Sequence, residues 1–132
     1  DMKNRPVRTS PSDVIAVGNY SHVTIVPRNA QLYTFSGQIG ADESGNLPDD
    51  YNKQIENTFI NIDKVLNSQS LNADDVIKVN IWATEEIDWE NVFDPIWDKF
   101  FGNTYPSMTI AYVRALGLPE IKIEIEILAA KV

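Results

Sequence analysis

The segment Ile121-Lys122-Ile123-Glu124-Ile125-Glu126-Ile127 alternates without a fault and sets two carboxylates opposite four isoleucines. Alternation of period two is the mark of a strand with one buried face. The carboxylates therefore share the other face, where a carboxylate can orient a water and relay a proton. The plain alternative for Glu124 and Glu126 is a solvated polar face. Upstream, Tyr33-Thr34-Phe35-Ser36-Gly37-Gln38-Ile39-Gly40 reads as a strand running into a glycine-bearing pocket.

Other chemistries find little support. The chain has no cysteine, which removes disulfides, thiolate nucleophiles and cysteine-based zinc sites. Its one histidine, His22, lacks a Gly-x-Ser-x-Gly elbow and reads as a hydrogen-bonded structural residue at the start of a strand. Carboxylates alone remain for a hard cation, and the acidic loops lack EF-hand spacing, so no metal is expected. Gly37 and Gly40 precede an acidic stretch without lysine, unlike a phosphate loop. A net charge of −8, with the 11 basic residues scattered, repels phosphate backbones and makes nucleic acid an unexpected partner. No apolar run approaches the ~20 residues of a membrane span, and the basic N-terminus is not followed by an apolar signal region. A cytoplasmic protein without a membrane partner is the simplest expectation.

The 132 residues suit one domain spanning the whole chain, 1–132, with 43% hydrophobic and 23% charged residues typical of a folded protein. Residues 6–10 predict a short edge strand. His22–Val26 and Ala30–Ser36 predict two strands paired as a hairpin through the Pro27–Ala30 turn. Apolar residues at Tyr51, Ile55, Phe59, Ile62 and Leu66 recur at helical spacing, with Asp49 or Asp50 as N-cap. Val76–Ala83 predicts a strand with Ile77, Val79 and Ile81 on one face and Val76, Lys78, Asn80 and Trp82 on the other. Trp89 to Phe101 keeps helical phase, and Pro95 either kinks this helix or starts a new one capped by Asp94. Ser107–Arg114 and the alternating segment complete the order β-β-β-α-β-α-β-β, an α+β fold with one mixed sheet and two helices on a single face.

Val17-Gly18 before Tyr20, then Ser36-Gly37-Gln38-Ile39, Phe100-Phe101, Pro106 and Ile123-Glu124-Ile125-Glu126 occur in the order found in the Rid (YjgF-like) family of reactive-intermediate deaminases. The chain resembles that family from Tyr20 to Ala129. The resemblance implies a chorismate-mutase-like homotrimer with small-molecule clefts between neighbouring subunits, in which an enamine or imine is hydrolysed without a metal or organic cofactor. It implies substrate contacts at Tyr20, Ser36, Gly37 and the backbone near Ile110, with Glu124 as the catalytic, water-orienting carboxylate. It also sets Asp94 among the substrate-binding residues, at a place where active members often carry asparagine, so that negative charge is added near the cleft. One departure stands out. Where deaminating members carry an arginine two residues after the proline, this chain has Met108, which offers neither charge nor donors to a substrate carboxylate. The expected ligand is thus a small, neutral or weakly charged metabolite. The alternative is a non-catalytic metabolite-binding or regulatory trimer, and ribonuclease activity is disfavoured by the charge and by the lack of a histidine pair.

A sheet with helices on one face leaves its second face needing cover, and another copy of the chain supplies it. Light scattering is expected to return three times the 14.9 kDa of one chain. A 15-kDa species at micromolar concentration would contradict both the trimer and the interfacial clefts.

Overall fold

The computed structural model describes residues 4–132. Strands β1 (Val7–Thr9), β2 (Val23–Ile25) and β3 (Gln31–Thr34) precede helix α1 (Tyr51–Asn67). Strand β4 (Val76–Ala83), helix α2 (Asp94–Phe101), and strands β5 (Ser107–Tyr112) and β6 (Ile123–Lys131) follow. The fold is α+β, as the pattern predicts. Four strands form a mixed sheet in the order β3-β6-β4-β5, in which β6 runs antiparallel to both neighbours and β4 and β5 are parallel, joined through α2.

The period-two pattern of β6 decides which side is covered. Ile123, Ile125 and Ile127 are all buried, packed with Ile55, Phe59, Ile62 and Leu66 of α1 and with Trp97 and Phe101 of α2, and Ile121 just before the strand is buried too. Asp50 caps α1, its carboxylate accepting the Lys53 N–H at 3.0 Å.

Strand pairing departs from the sequence expectation. No β2–β3 hairpin forms: β2 pairs antiparallel with β1 in a separate two-stranded ribbon, while β3 pairs with β6. The Pro27–Ala30 turn is present, with Ala30 N–H donating to Pro27 O. The longer apolar ladder on β6, which continues to Lys131 beyond the alternating segment, takes β3 instead. In β4 a register irregularity lies between Val76 and Lys78, so Val76 joins Val79, Ile81 and Ala83 in the core while Ile77 is only half-buried. The faces expected from uninterrupted alternation are shifted there, because a bulge inserts a residue and reverses the phase.

At Pro95 the alternative realised is a helix start. Residues Trp89–Phe93 form a π-turn capped by Asp88, whose carboxylate accepts the Asn91 N–H, and α2 begins at Asp94 with the proline in its first turn. Asp94 is therefore a first-turn residue and not the cap.

Gln54 ties the layers together. Buried in α1, it donates through Nε2 to Pro48 O (2.8 Å) and Glu120 O (3.0 Å), and its Oε1 accepts the Lys122 N–H (3.1 Å). The chain entering α1 closes on the same spot, since a Cβ at Gly40 would lie 2.6 Å from Gln54 Cα. Gln54→Leu keeps the volume but leaves these backbone groups unpaired, and at about 1–3 kcal/mol for each one that water cannot reach the loss should total about 3 kcal/mol. A lowered urea midpoint with unchanged slope is the expected reading.

Candidate functional site

Cross-strand partners present their side chains on the same face, and that rule divides the expected site residues into two groups. Met108 pairs with Val79, and Ile110 with Ile81, which places both on the helix-covered face. Glu124 pairs with Trp82, and Glu126 with Asn80, on the opposite, open face. Within one chain, the residue at the arginine position and the expected catalytic carboxylate are therefore separated by the sheet itself.

The first group lines a cleft of about 420 Å³ between α2, β5 and the 17–20 loop, where Tyr20, Asp94, Met108 and Ile110 come together. The loop is held from α2: Trp97 Nε1 donates to Asn19 O at 2.7 Å, and Asn19 Nδ2 donates to Asp98 Oδ1 at 2.8 Å. Tyr20 braces the loop from within by accepting the Val17 N–H at its hydroxyl. His22 packs its ring edge-on against Tyr20, centroids 5.4 Å apart. The hydrogen bond at His22 is made by its backbone N–H to Ser10 Oγ, whereas its buried Nε2 has no partner among the described residues. Its role is packing, and the expected side-chain hydrogen bond is not formed through Nε2.

Most of the cleft wall was not singled out from the sequence. Trp89, Phe93, Trp97 and Tyr112 contribute to it, and the first three form a continuous row, Trp89 meeting Phe93 edge-on with centroids at 4.8 Å and Phe93 stacking on Trp97 at 5.6 Å. The dense aromatic phase of residues 89–101 was the available signal, but helical periodicity alone assigns such residues to the core. Phe93 and Trp97 serve both ends, being almost fully buried yet touching the cleft.

The second group is built on β6. Segment 36–38 crosses the strand through a two-hydrogen-bond bridge between Gln38 and Ile125. Gly37 consequently lies directly over Glu124: a Cβ there would sit 2.8 Å from Glu124 Cδ and nearer still to Oε2. Only a glycine leaves the carboxylate its place. Ser36 is exposed beside it, and Glu124 is half-buried. On the same face Asn80 Nδ2 donates to Glu126 Oε1 at 3.3 Å, so Glu126 is engaged in the sheet's own polar ladder. Among the described residues no three His, Cys, Asp or Glu side chains gather as a metal site, and no helix is long and apolar enough to cross a membrane.

Asp94 is the charged member of the cleft. Burial is the main cause that raises its pKa above the ordinary 3.8, and the Asp98 carboxylate four residues on adds to it. These effects outweigh the help a first-turn carboxylate receives from the helix dipole.

The fold and the cleft thus define a small α+β protein with one mixed sheet, helices on one face and an aromatic pocket at the edge of α2. Residues 11–131 match the model of the family named Endoribonuclease L-PSP, and the chain belongs to this Rid (YjgF-like) family. It is 31% identical over 130 residues to a RutC family protein of Aquifex aeolicus, covering 96% of this chain and 99% of that one. It is 28% identical over 120 residues to TdcF of Escherichia coli, described as a putative reactive intermediate deaminase, covering 88% and 89%. Among solved structures, RidA from the Antarctic bacterium Psychrobacter superposes with a TM-score of 0.68 at 25% identity, covering 98% of both chains. The Rid-family protein YyfB of Yersinia pestis gives a TM-score of 0.83 at 20% identity, covering 95% of this chain and 98% of that one, a likeness of fold.

Because the native state holds the Asp94 proton to higher pH than the unfolded chain does, ionisation of Asp94 opposes folding, and stability is lost as pH rises through the raised pKa. Asp94→Asn removes that loss. Its denaturation midpoint should exceed the parent's at pH 7, and the gap should narrow as pH falls toward 4 and Asp94 of the parent takes up its proton.

Proposed function

We propose that the chain assembles as a homotrimer whose clefts join the two groups across a subunit interface: Tyr20, Asp94, Met108 and Ile110 from one copy, with Ser36, Gly37 and Glu124 from its neighbour. The observation that carries this reading is the opposition of Met108 and Glu124 across one sheet, since no motion short of unfolding brings them together in a single chain. Exposed apolar side chains support an interface as well, with Val17 at 91%, Ile15 at 82% and Leu32 at 63% exposure.

In this cleft the reaction is hydrolysis of an imine, or of an enamine through its imine tautomer, a deamination in keeping with the words reactive intermediate deaminase in the description of the TdcF relative. Glu124 takes a proton from a water whose oxygen bonds to the imine carbon, while the C=N π pair moves to nitrogen. Glu124 passes that proton to the nitrogen to give the carbinolamine, then takes the hydroxyl proton as the carbonyl forms and delivers it to the departing nitrogen, which leaves as ammonia. Gly37 matters because it leaves Glu124 room to approach the water. Water is the sole co-reactant.

A second reading, a metabolite-binding trimer without turnover, rests on Met108, which cannot hold a substrate carboxylate in position. The ribonuclease activity in the family's name suits this chain least, given its charge of −8 and its single histidine packed against Tyr20.

The deciding experiment traps enamine and imine hydrolysis with 2-aminoacrylate and bulkier imines. Glu124→Gln should slow turnover by about 10²–10⁴-fold, the usual loss when general acid–base catalysis is removed. Gly37→Ala, which displaces the carboxylate but leaves it present, should fall in between. Equal rates for parent and Glu124→Gln would instead favour the binding protein.

A further inference from the structure

The cleft beside α2 carries the wrong charge for an anionic ligand. Among its described lining residues Asp94 is the only charged side chain, and Met108 brings no donor. The ion pairs among the described residues all lie elsewhere, and no described lysine or arginine pairs with Asp94. Its neighbour Asp98, by contrast, accepts hydrogen bonds from Asn19 Nδ2 and the Tyr105 hydroxyl.

The rest of the wall has the same preference. Tyr20, Trp89, Phe93, Trp97 and Tyr112 surround the cavity with aromatic rings, whose faces attract cations and repel anions through the ring quadrupole. A half-buried carboxylate at the edge of such a wall, helped only by the start of α2, is poorly compensated for its lost water until a cation arrives. The volume, about 420 Å³, is that of a small-molecule pocket.

We propose that this cleft selects an organic cation, an ammonium or iminium group carried on an apolar body of about one aromatic ring and bearing no carboxylate. The ammonium or iminium nitrogen is placed against Asp94 and the ring faces, and the apolar body lies toward Met108 and Ile110. This rests on the cleft reading above and names its ligand class. The substrate turned over is a protonated imine: water oxygen bonds to carbon, the C=N π pair passes to nitrogen, both water protons follow it there, and C–N cleavage releases a carbonyl compound and ammonium.

Calorimetric titration of the full chain with benzylammonium, benzyl alcohol and benzoate tests the proposal directly. Benzylammonium should bind at least about tenfold more tightly than either analogue at low salt, and added salt should erode that margin. Asp94→Asn should remove the preference, and Met108→Arg should turn it toward benzoate, so the test survives poor folding of one variant. Equal or tighter binding of benzoate or benzyl alcohol overturns the proposal, as does undetectable benzylammonium binding at millimolar concentration. A preference that is unchanged in both variants overturns it too. Binding is read without turnover. A chain that hydrolyses 2-aminoacrylate through Glu124 yet prefers benzoate therefore overturns the ligand class alone, while one that prefers benzylammonium and hydrolyses nothing overturns the hydrolase alone.

Discussion

Everything in this molecule hangs on β6, a strand paired on both sides whose alternate residues are isoleucine. Burying Ile123, Ile125 and Ile127 under the helices forces Glu124 and Glu126 onto the opposite face, because successive side chains of a strand point in opposite directions. The pairing of β4 with both β6 and β5 then carries the same division across the sheet, fixing Met108 and Ile110 on the covered side. A slip of one residue would exchange the two faces entire, placing carboxylates in the core. The placement of the chemistry is thus a by-product of the burial of the core.

That division explains why a single chain holds the expected site residues in two separate groups. One is an aromatic pocket with a lone carboxylate, set into the edge of the core beside α2. The other is a carboxylate laid under a glycine on the open face. Each is locally well built, with the loop before β2 held by Asn19 and Trp97 and the segment after β3 held by Gln38. The pocket beside α2 has no cation among its described lining residues to hold a carboxylate ligand.

The region of residues 88–101 shows how a local conflict is resolved into a site. Pro95 has no N–H to give a continuous helix, so the chain begins α2 at Asp94 and fits a π-turn ahead of it, capped by Asp88. The π-turn sets Trp89 and Phe93 on the cleft side, and Asp94 follows them into the pocket as a half-buried first-turn carboxylate. The widened turn is a device for aiming side chains, as π-turns at functional sites often are.

Much of this was legible in the residues. Helix α1, its Asp50 cap, the order of the elements and the buried face of β6 follow from periodicity and turn chemistry, because those depend on neighbours three or four positions apart or fewer. The family motifs pointed to Tyr20, Asp94, Met108 and Ile110, and these do share a cleft. Strand partnership did not follow from local pattern. Ribbon β1–β2 and the β3–β6 pairing replace the expected hairpin, since a turn can join two strands without deciding which ladder each will complete. Nor did the bulge at Ile77 show in the sequence, because it arises from register with β6 and not from β4 alone. The sequence by itself determined which residues are apolar, acidic or aromatic and with what period. Only the tertiary structure decided which of them face one another, because strand register and the packing of α2 against β5 are set by contacts between segments far apart in the chain.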